Sequence, residues 1–250
     1  MAVARVTLLH GFLGSPADWA DVLGHLAAEI TCDCVALAEL GCTSIDEASR
    51  QLATRLERSP CDLLVGYSLG GRIALDLAAT RPALVPRLAL FAAGMGIEDA
   101  AERTARAAED DRRAEELRAN GLEQFVDAWY AMALFREFRA SPAFAVTRAR
   151  RLAGDAEFWA RCVSGCSAGR ARPRWDALPG LASRTVLVVG ERDERYAAAS
   201  ERAARVAPGI RVMTLLAAGH ALPLESPAHC ARIIEEAVRA PIRQLPGDFA

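Results

Sequence analysis

Short apolar runs alternate along the chain with stretches whose apolar residues recur every three or four positions. The runs "RVTLLH" (5–10), "CDCVAL" (32–37), "CDLLVGY" (61–67), "RLALFAA" (87–93), "RTVLVVG" (184–190) and "RVMTLL" (211–216) read as strands. Between them, 16–29, 45–58, 69–80, 197–207 and 227–239 read as amphipathic helices, with Ser15 and Ser44 as N-caps and Pro16 at a first helical position. Strand and helix in alternation predict a mostly parallel sheet of about six strands covered by helices. Only nine residues precede His10, which leaves no room for a front hairpin.

The rhythm stops after residue 93 and resumes at 184. Residues 97–170 contain no strand-like run and read as several helices, among them "EDAAERTARAAEDDRRAEELRAN" and "LEQFVDAWYAMALF". The pattern predicts a core of residues 1–96 and 171–250, interrupted by a helical insertion at 97–170. An insertion there forms a lid over the C-terminal edge of the sheet, where such sheets bind ligands.

Composition narrows the partners. The 250 residues carry a net charge of −2, with 52% hydrophobic and 25% charged residues, which gives no reason to expect nucleic acid or an anionic membrane. No apolar run is long enough to span a bilayer, and "MAVARVTLLHG" lacks a leader's apolar region and cleavage site, so the expected location is cytoplasmic. Seven scattered cysteines show no zinc-finger spacing with histidines. They read as small buried hydrophobes, with Cys162 and Cys166 near enough on one helix to touch. No metal and no cofactor is expected.

The chemistry gathers around "LLVGYSLGGR" (63–72), in which Gly66-Tyr67-Ser68-Leu69-Gly70 is G-x-S-x-G between a strand and a helix. A turn that tight needs small flanking residues and lifts the serine hydroxyl to the top of the sheet. The serine needs a base. Of the four histidines, His220 follows the last strand in "LLAAGHALPLESP", His25 and His229 lie within helices, and His10 ends the first strand, where it shapes the backbone. The orienting acid comes from "VVGERDERY": Asp193 is preferred, with Glu191 and Glu194 as alternatives. The backbone N–H groups of Leu69 and Phe12 are the candidate oxyanion donors.

With these residues assembled, the chain resembles the α/β-hydrolases over nearly its full length. It is more closely similar to the 2-succinyl-6-hydroxy-2,4-cyclohexadiene-1-carboxylate synthases of menaquinone biosynthesis. The likeness rests on "HGF" with Trp19 downstream, "GYSLGGR", an arginine-rich lid helix, "WY" followed by phenylalanine, and "GERD" before a terminal "GH". That resemblance implies that Tyr67, Arg72, Arg106, Trp129 and Arg151 hold the substrate's carboxylates and ring. Arg151 is placed by counting back from "SGCSAG", with Arg148 and Arg150 alongside. Arginine forks suit a substrate bearing several carboxylates, although acidic neighbours also mark the lid arginines as candidates for ordinary ion pairs. Two segments depart from the pattern. "LAELGCTS" (37–44) stands where "D-x-P-G-H-G" is usual, and Pro223 stands where a second histidine is frequent.

The resemblance implies a lyase that eliminates pyruvate from a succinyl-cyclohexene carboxylate, with Ser68, His220 and Asp193 acting as a base on a carbon-bound proton. The alternatives are hydrolysis of a small carboxylate-bearing ester or thioester with Ser68 as nucleophile, and a non-catalytic receptor. A receptor has no use for the triad's proton chemistry. The oligomeric state is not legible from the sequence.

Overall fold

The computed structural model describes residues 4–239 and Ile242. Six strands, β1 (Ala4–Leu9), β2 (Ile30–Val35), β3 (Leu63–Tyr67), β4 (Leu88–Phe91), β5 (Thr185–Gly190) and β6 (Arg211–Leu215), form one sheet in the order β2-β1-β3-β4-β5-β6. Every neighbouring pair is parallel. β3 and β5 are buried along their whole length, as expected of strands covered on both faces.

The two-residue alternation of strands sorts their side chains into two cores. Val6, Leu8, Leu63, Val65, Val186 and Val188 pack on one face with Trp19, Ile233 and Ile234. Leu9, Leu64, Leu90 and Leu187 pack on the other with Leu52, Ile73 and Leu77.

Three α-helices precede β4: α1 (Ala20–His25), α2 (Ile45–Arg58) and α3 (Leu69–Thr80). Between β4 and β5 run α4 (Ala100–Ala131), α5 (Arg136–Ala140), α6 (Phe144–Leu152), α7 (Ala156–Gly165) and the short α8 (Leu178–Leu181). Then come α9 (Glu194–Val206), α10 (Leu222–Glu225) and α11 (Pro227–Arg239). The two helical stretches read on either side of residue 121 merge into α4, but Gly121 has φ 78° and ψ 173°, so a sharp break separates them.

Some boundaries differ from expectation. The helix predicted over 16–29 is a 3-10 turn (Pro16–Trp19) followed by the short α1. It ends early because Leu26 is extended and β2 begins at Ile30, which pairs with Ala4. α9 starts at Glu194 rather than 197 because the Asp193 carboxylate caps it. No described helix is long and apolar enough to cross a membrane.

Candidate active site

β3 ends at Tyr67 and α3 begins at Leu69, so Ser68 alone makes the turn, at φ 51° and ψ −108°. That left-handed backbone is strained for a serine and persists because its surroundings leave no alternative. Its N–H donates to Phe91 O at 2.9 Å. A Cβ on Gly66 would sit 2.5 Å from Gly71 Cα, and one on Gly70 would sit 2.6 Å from the carbonyl oxygens of Leu9 and His10. The small residues flanking the serine are therefore demanded by backbone contact.

Ser68 Oγ lies 3.1 Å from His220 Nε2, and His220 Nδ1 lies 2.7 Å from Asp193 Oδ2. His220 and Asp193 are both buried. With the carboxylate accepting, Nδ1 carries the proton and Nε2 presents its lone pair to the serine hydroxyl. Glu191 instead accepts from Ala217 N–H, and Glu194 is exposed, so neither alternative acid faces the histidine. Among the described residues, neither the Leu69 nor the Phe12 N–H is taken by a backbone acceptor outside the regular elements.

The loop carrying His220 is clasped by a residue that sequence reasoning missed. Glu225 accepts from Gly219 N–H at 2.6 Å and from Ala221 N–H at 2.8 Å. Burial pushes its carboxyl pKa up, while those two N–H groups favour the charged form. The signal was present in "GHALPLES", six residues past Gly219, but only the turn of α10 brings the carboxylate back. The rings of Tyr196, Tyr67 and Phe135 pack around the imidazole at 4.7, 5.6 and 5.7 Å.

His10 plays another part. Its Nδ1–H donates to Gly11 O at 2.9 Å and its Nε2 accepts from Leu37 N–H at 3.1 Å, tying the end of β1 to the loop after β2. Burial pulls its pKa down to about 4. It is a neutral brace.

A cavity of about 140 Å³ opens above Ser68 and is lined by all five residues that the resemblance assigned to substrate: Tyr67, Arg72, Arg106, Trp129 and Arg151. Their states differ. Arg72 donates one N–H to Cys166 O at 2.8 Å, and no carboxylate pairs with it among the described residues. Arg106 is held by the buried Asp110 at 2.8 Å, which also accepts from Arg113 and Ser167. Arg151 is locked in a buried bidentate pair with Asp18 at 2.8 and 2.7 Å and also donates to Tyr130. Of its neighbours, Arg148 pairs with Asp127 and Glu123, whereas Arg150 reaches Ala17 O and also stands 3.6 Å from Asp18. Trp129 packs on Phe12 at 4.7 Å and carries Arg113 over its ring at 5.7 Å. Trp19, part of the sequence likeness, is wholly buried in the core against Phe91 and does not line the cavity.

Two further cavity arginines went unmarked in the sequence. Arg113 lies among acidic neighbours that disguise it as an ordinary helix pair. Arg195, two residues past Asp193, is exposed and has no partner among the described residues.

A strand-turn serine, an acid and a histidine, in that chain order on a parallel sheet, define a class. The model of the alpha/beta hydrolase family matches residues 8–233, and the chain belongs to that family. Within it, the similarity is to the 2-succinyl-6-hydroxy-2,4-cyclohexadiene-1-carboxylate synthases. The chain is 30% identical to the protein of that name from Enterobacter sp. (strain 638), over 96% of its own length and 94% of the relative's. It is 29% identical, over 88% of its length, to Protein PHYLLO, chloroplastic, of Arabidopsis thaliana, and spans 14% of that longer protein. MenH from S. aureus shares the fold with a TM-score of 0.85, at 23% identity, covering 96% of this chain and 94% of that one.

Proposed function

We propose that the chain is a lyase of the synthase type, eliminating pyruvate from a succinyl-cyclohexene carboxylate in the cytoplasm. The observation that carries this reading is a hydrogen-bonded Ser68–His220–Asp193 set at the base of a cavity lined by five arginines. A cavity that cationic suits a polycarboxylate better than a simple ester. The near full-length similarity to synthases supports the same reading.

In this mechanism Ser68 Oγ removes the proton from the carbon beside a carbonyl as its own proton passes to His220 Nε2. Asp193 stabilises the imidazolium without taking the proton. The C–H electron pair becomes an enolate whose charge rests against the N–H groups of Leu69 and Phe12 and the N-terminus of α3. Collapse of the enolate pushes electrons through the ring and expels the pyruvyl group with its bonding pair. That group takes up the proton held by the His220 imidazolium, which returns the histidine to its neutral form, and no acyl-enzyme forms. Arg72 and Arg195 are the best placed to receive carboxylates, because neither is bound to an acid among the described residues. The helices from α4 to α7 supply the cavity's far wall and act as its lid.

The test measures pyruvate release from the succinyl-cyclohexene substrate and acid release from short acyl esters as separate readouts. Arg72→Ala should lower kcat/KM for the carboxylate substrate by roughly 30- to 150-fold, the loss of one charge-assisted pair, and cost far less on a neutral acetyl ester. Arg72→Lys should restore only part, because an ammonium lacks the planar fork. An acyl adduct on Ser68 that forms and decays at the turnover rate would instead establish a hydrolase.

A further inference from the structure

Three of the seven cysteines meet in space although the chain separates them widely. Cys42 lies in the loop between β2 and α2, Cys162 lies on α7, and Cys166 caps α7. All three side chains are buried, and their Sγ atoms lie within 4.8 Å of one another. Cys162 and Cys166 also line the catalytic cavity. The remaining cysteines, Cys32, Cys34, Cys61 and Cys230, form no such group among the described residues.

We propose that Cys42, Cys162 and Cys166 form a binding site for a soft divalent cation of the zinc class on the wall of the catalytic cavity. The donor set is entirely sulfur, which selects thiophilic ions over magnesium or calcium. Zinc–thiolate bonds of about 2.3 Å in tetrahedral geometry put neighbouring sulfurs about 3.8 Å apart, so the cluster needs to contract by no more than about 1 Å. Three protein ligands leave a fourth position for a solvent ligand, and two of the three, Cys162 and Cys166, border the cavity.

Charge is compensated locally. Three thiols lose their protons to solvent as the ion binds, so the divalent cation and three thiolates carry a net single negative charge. Arg72, already bonded to Cys166 O, stands beside them with the opposite sign. The thiols' present bonds are weak ones, from Cys42 Sγ to Leu37 O and from Cys166 Sγ to Cys42 O, each 3.2 Å, and are easily surrendered. The cluster also joins the loop after β2 to α7, so the ion clamps the helical wall to the sheet domain.

The test uses the full-length protein, reduced and free of oxygen, with Co²⁺ as a spectroscopic probe. One equivalent should produce a thiolate-to-cobalt charge-transfer band and tetrahedral d–d bands, and Zn²⁺ should displace both. Cys42→Ala, Cys162→Ala and Cys166→Ala should each abolish the charge-transfer band, whereas Cys230→Ala and the double variant Cys32→Ala/Cys34→Ala should keep it. A second measurement needs no variant: X-ray absorption at the zinc edge of the wild-type complex should find three sulfur neighbours and one oxygen. Absence of the charge-transfer band, its survival in Cys162→Ala, or a zinc shell with fewer than three sulfurs would overturn the site. Because these readouts do not depend on turnover, failure of the lyase reading leaves them intact.

Discussion

The cavity has two walls, built on different physics. The sheet wall, from Ser68 to His220, is set by backbone contact and apolar burial: glycines that admit no Cβ, a serine in a left-handed turn, and β3 and β5 wholly enclosed. The helical wall, from α4 to α7, adds to its apolar burial (Leu117, Val126, Phe138, Ala160) a set of arginine pairs with buried carboxylates, with Arg106 and Arg113 on Asp110 and Arg151 on Asp18. Contact between atoms that cannot interpenetrate admits one arrangement. A guanidinium accepts whichever carboxylate the fold delivers. The sheet side therefore holds the reacting atoms and the two cavity arginines, Arg72 and Arg195, that no acid among the described residues occupies, while the arginines of the helical wall are held by the protein's own acids.

The largest effect should fall on the sheet wall. Ser68→Ala, His220→Ala and Asp193→Asn should each lower turnover by roughly 10²- to 10⁴-fold while leaving the unfolding transition in place. Because the three act as a unit, combining them should add little to the worst single change. A Glu191 or Glu194 substitution with an equal loss would mean that the acid is misassigned.

Next comes the contrast between Arg151 and Arg72. Replacing Arg151 with Met removes the bidentate partner of the buried Asp18 carboxylate and leaves it the Ser15 N–H and Arg150 at 3.6 Å, so denaturant unfolding should show a loss of about 3 kcal/mol. The double variant Asp18→Asn/Arg151→Met should recover most of it. If Arg151→Met instead left stability intact and raised KM, Arg151 would be a substrate ligand like Arg72, and the two walls would differ less than their geometry implies.

His10 probes the sheet wall by pH. Its folded-state pKa, about 4, lies below the unfolded value of 6.5, so the unfolded chain binds the proton first as the medium acidifies. The stabilisation is complete above 6.5 and is lost as pH falls from 6.5 through 4, on the order of 3 kcal/mol in total. Unfolding free energies of wild type and His10→Gln, measured across that window, should converge at its acid end.

The smallest effect belongs to Arg118 and Glu157, which join α4 to α7 by two hydrogen bonds of 2.9 and 3.0 Å at the surface. Solvent screens such a pair, so Arg118→Gln should leave the melting temperature essentially unmoved, and added salt should not reveal a difference. A marked loss would show that the helical wall depends on its surface pairs.

What the sequence determined by itself is whatever rests on near neighbours in the chain. The apolar runs fix the strands, their parallel direction follows from strand–helix alternation, and Gly66-Tyr67-Ser68-Leu69-Gly70 encodes its own turn because Gly66 meets Gly70 and Gly71 within a few residues. Even the break at Gly121 falls where one helical stretch was read to end and the next to begin. Tertiary structure decided what depends on distant partners. Arg151 and Asp18 are 133 positions apart, and Cys42 and Cys166 are 124 apart. Arg106 meets Asp110 four residues on, the kind of pair its acidic neighbours suggested, and only the fold shows that no acid among the described residues meets Arg72. A charge or a thiol carries no local signature of its partner, because electrostatics and metal ligation act through space, whereas turns and strand periodicity act along the backbone.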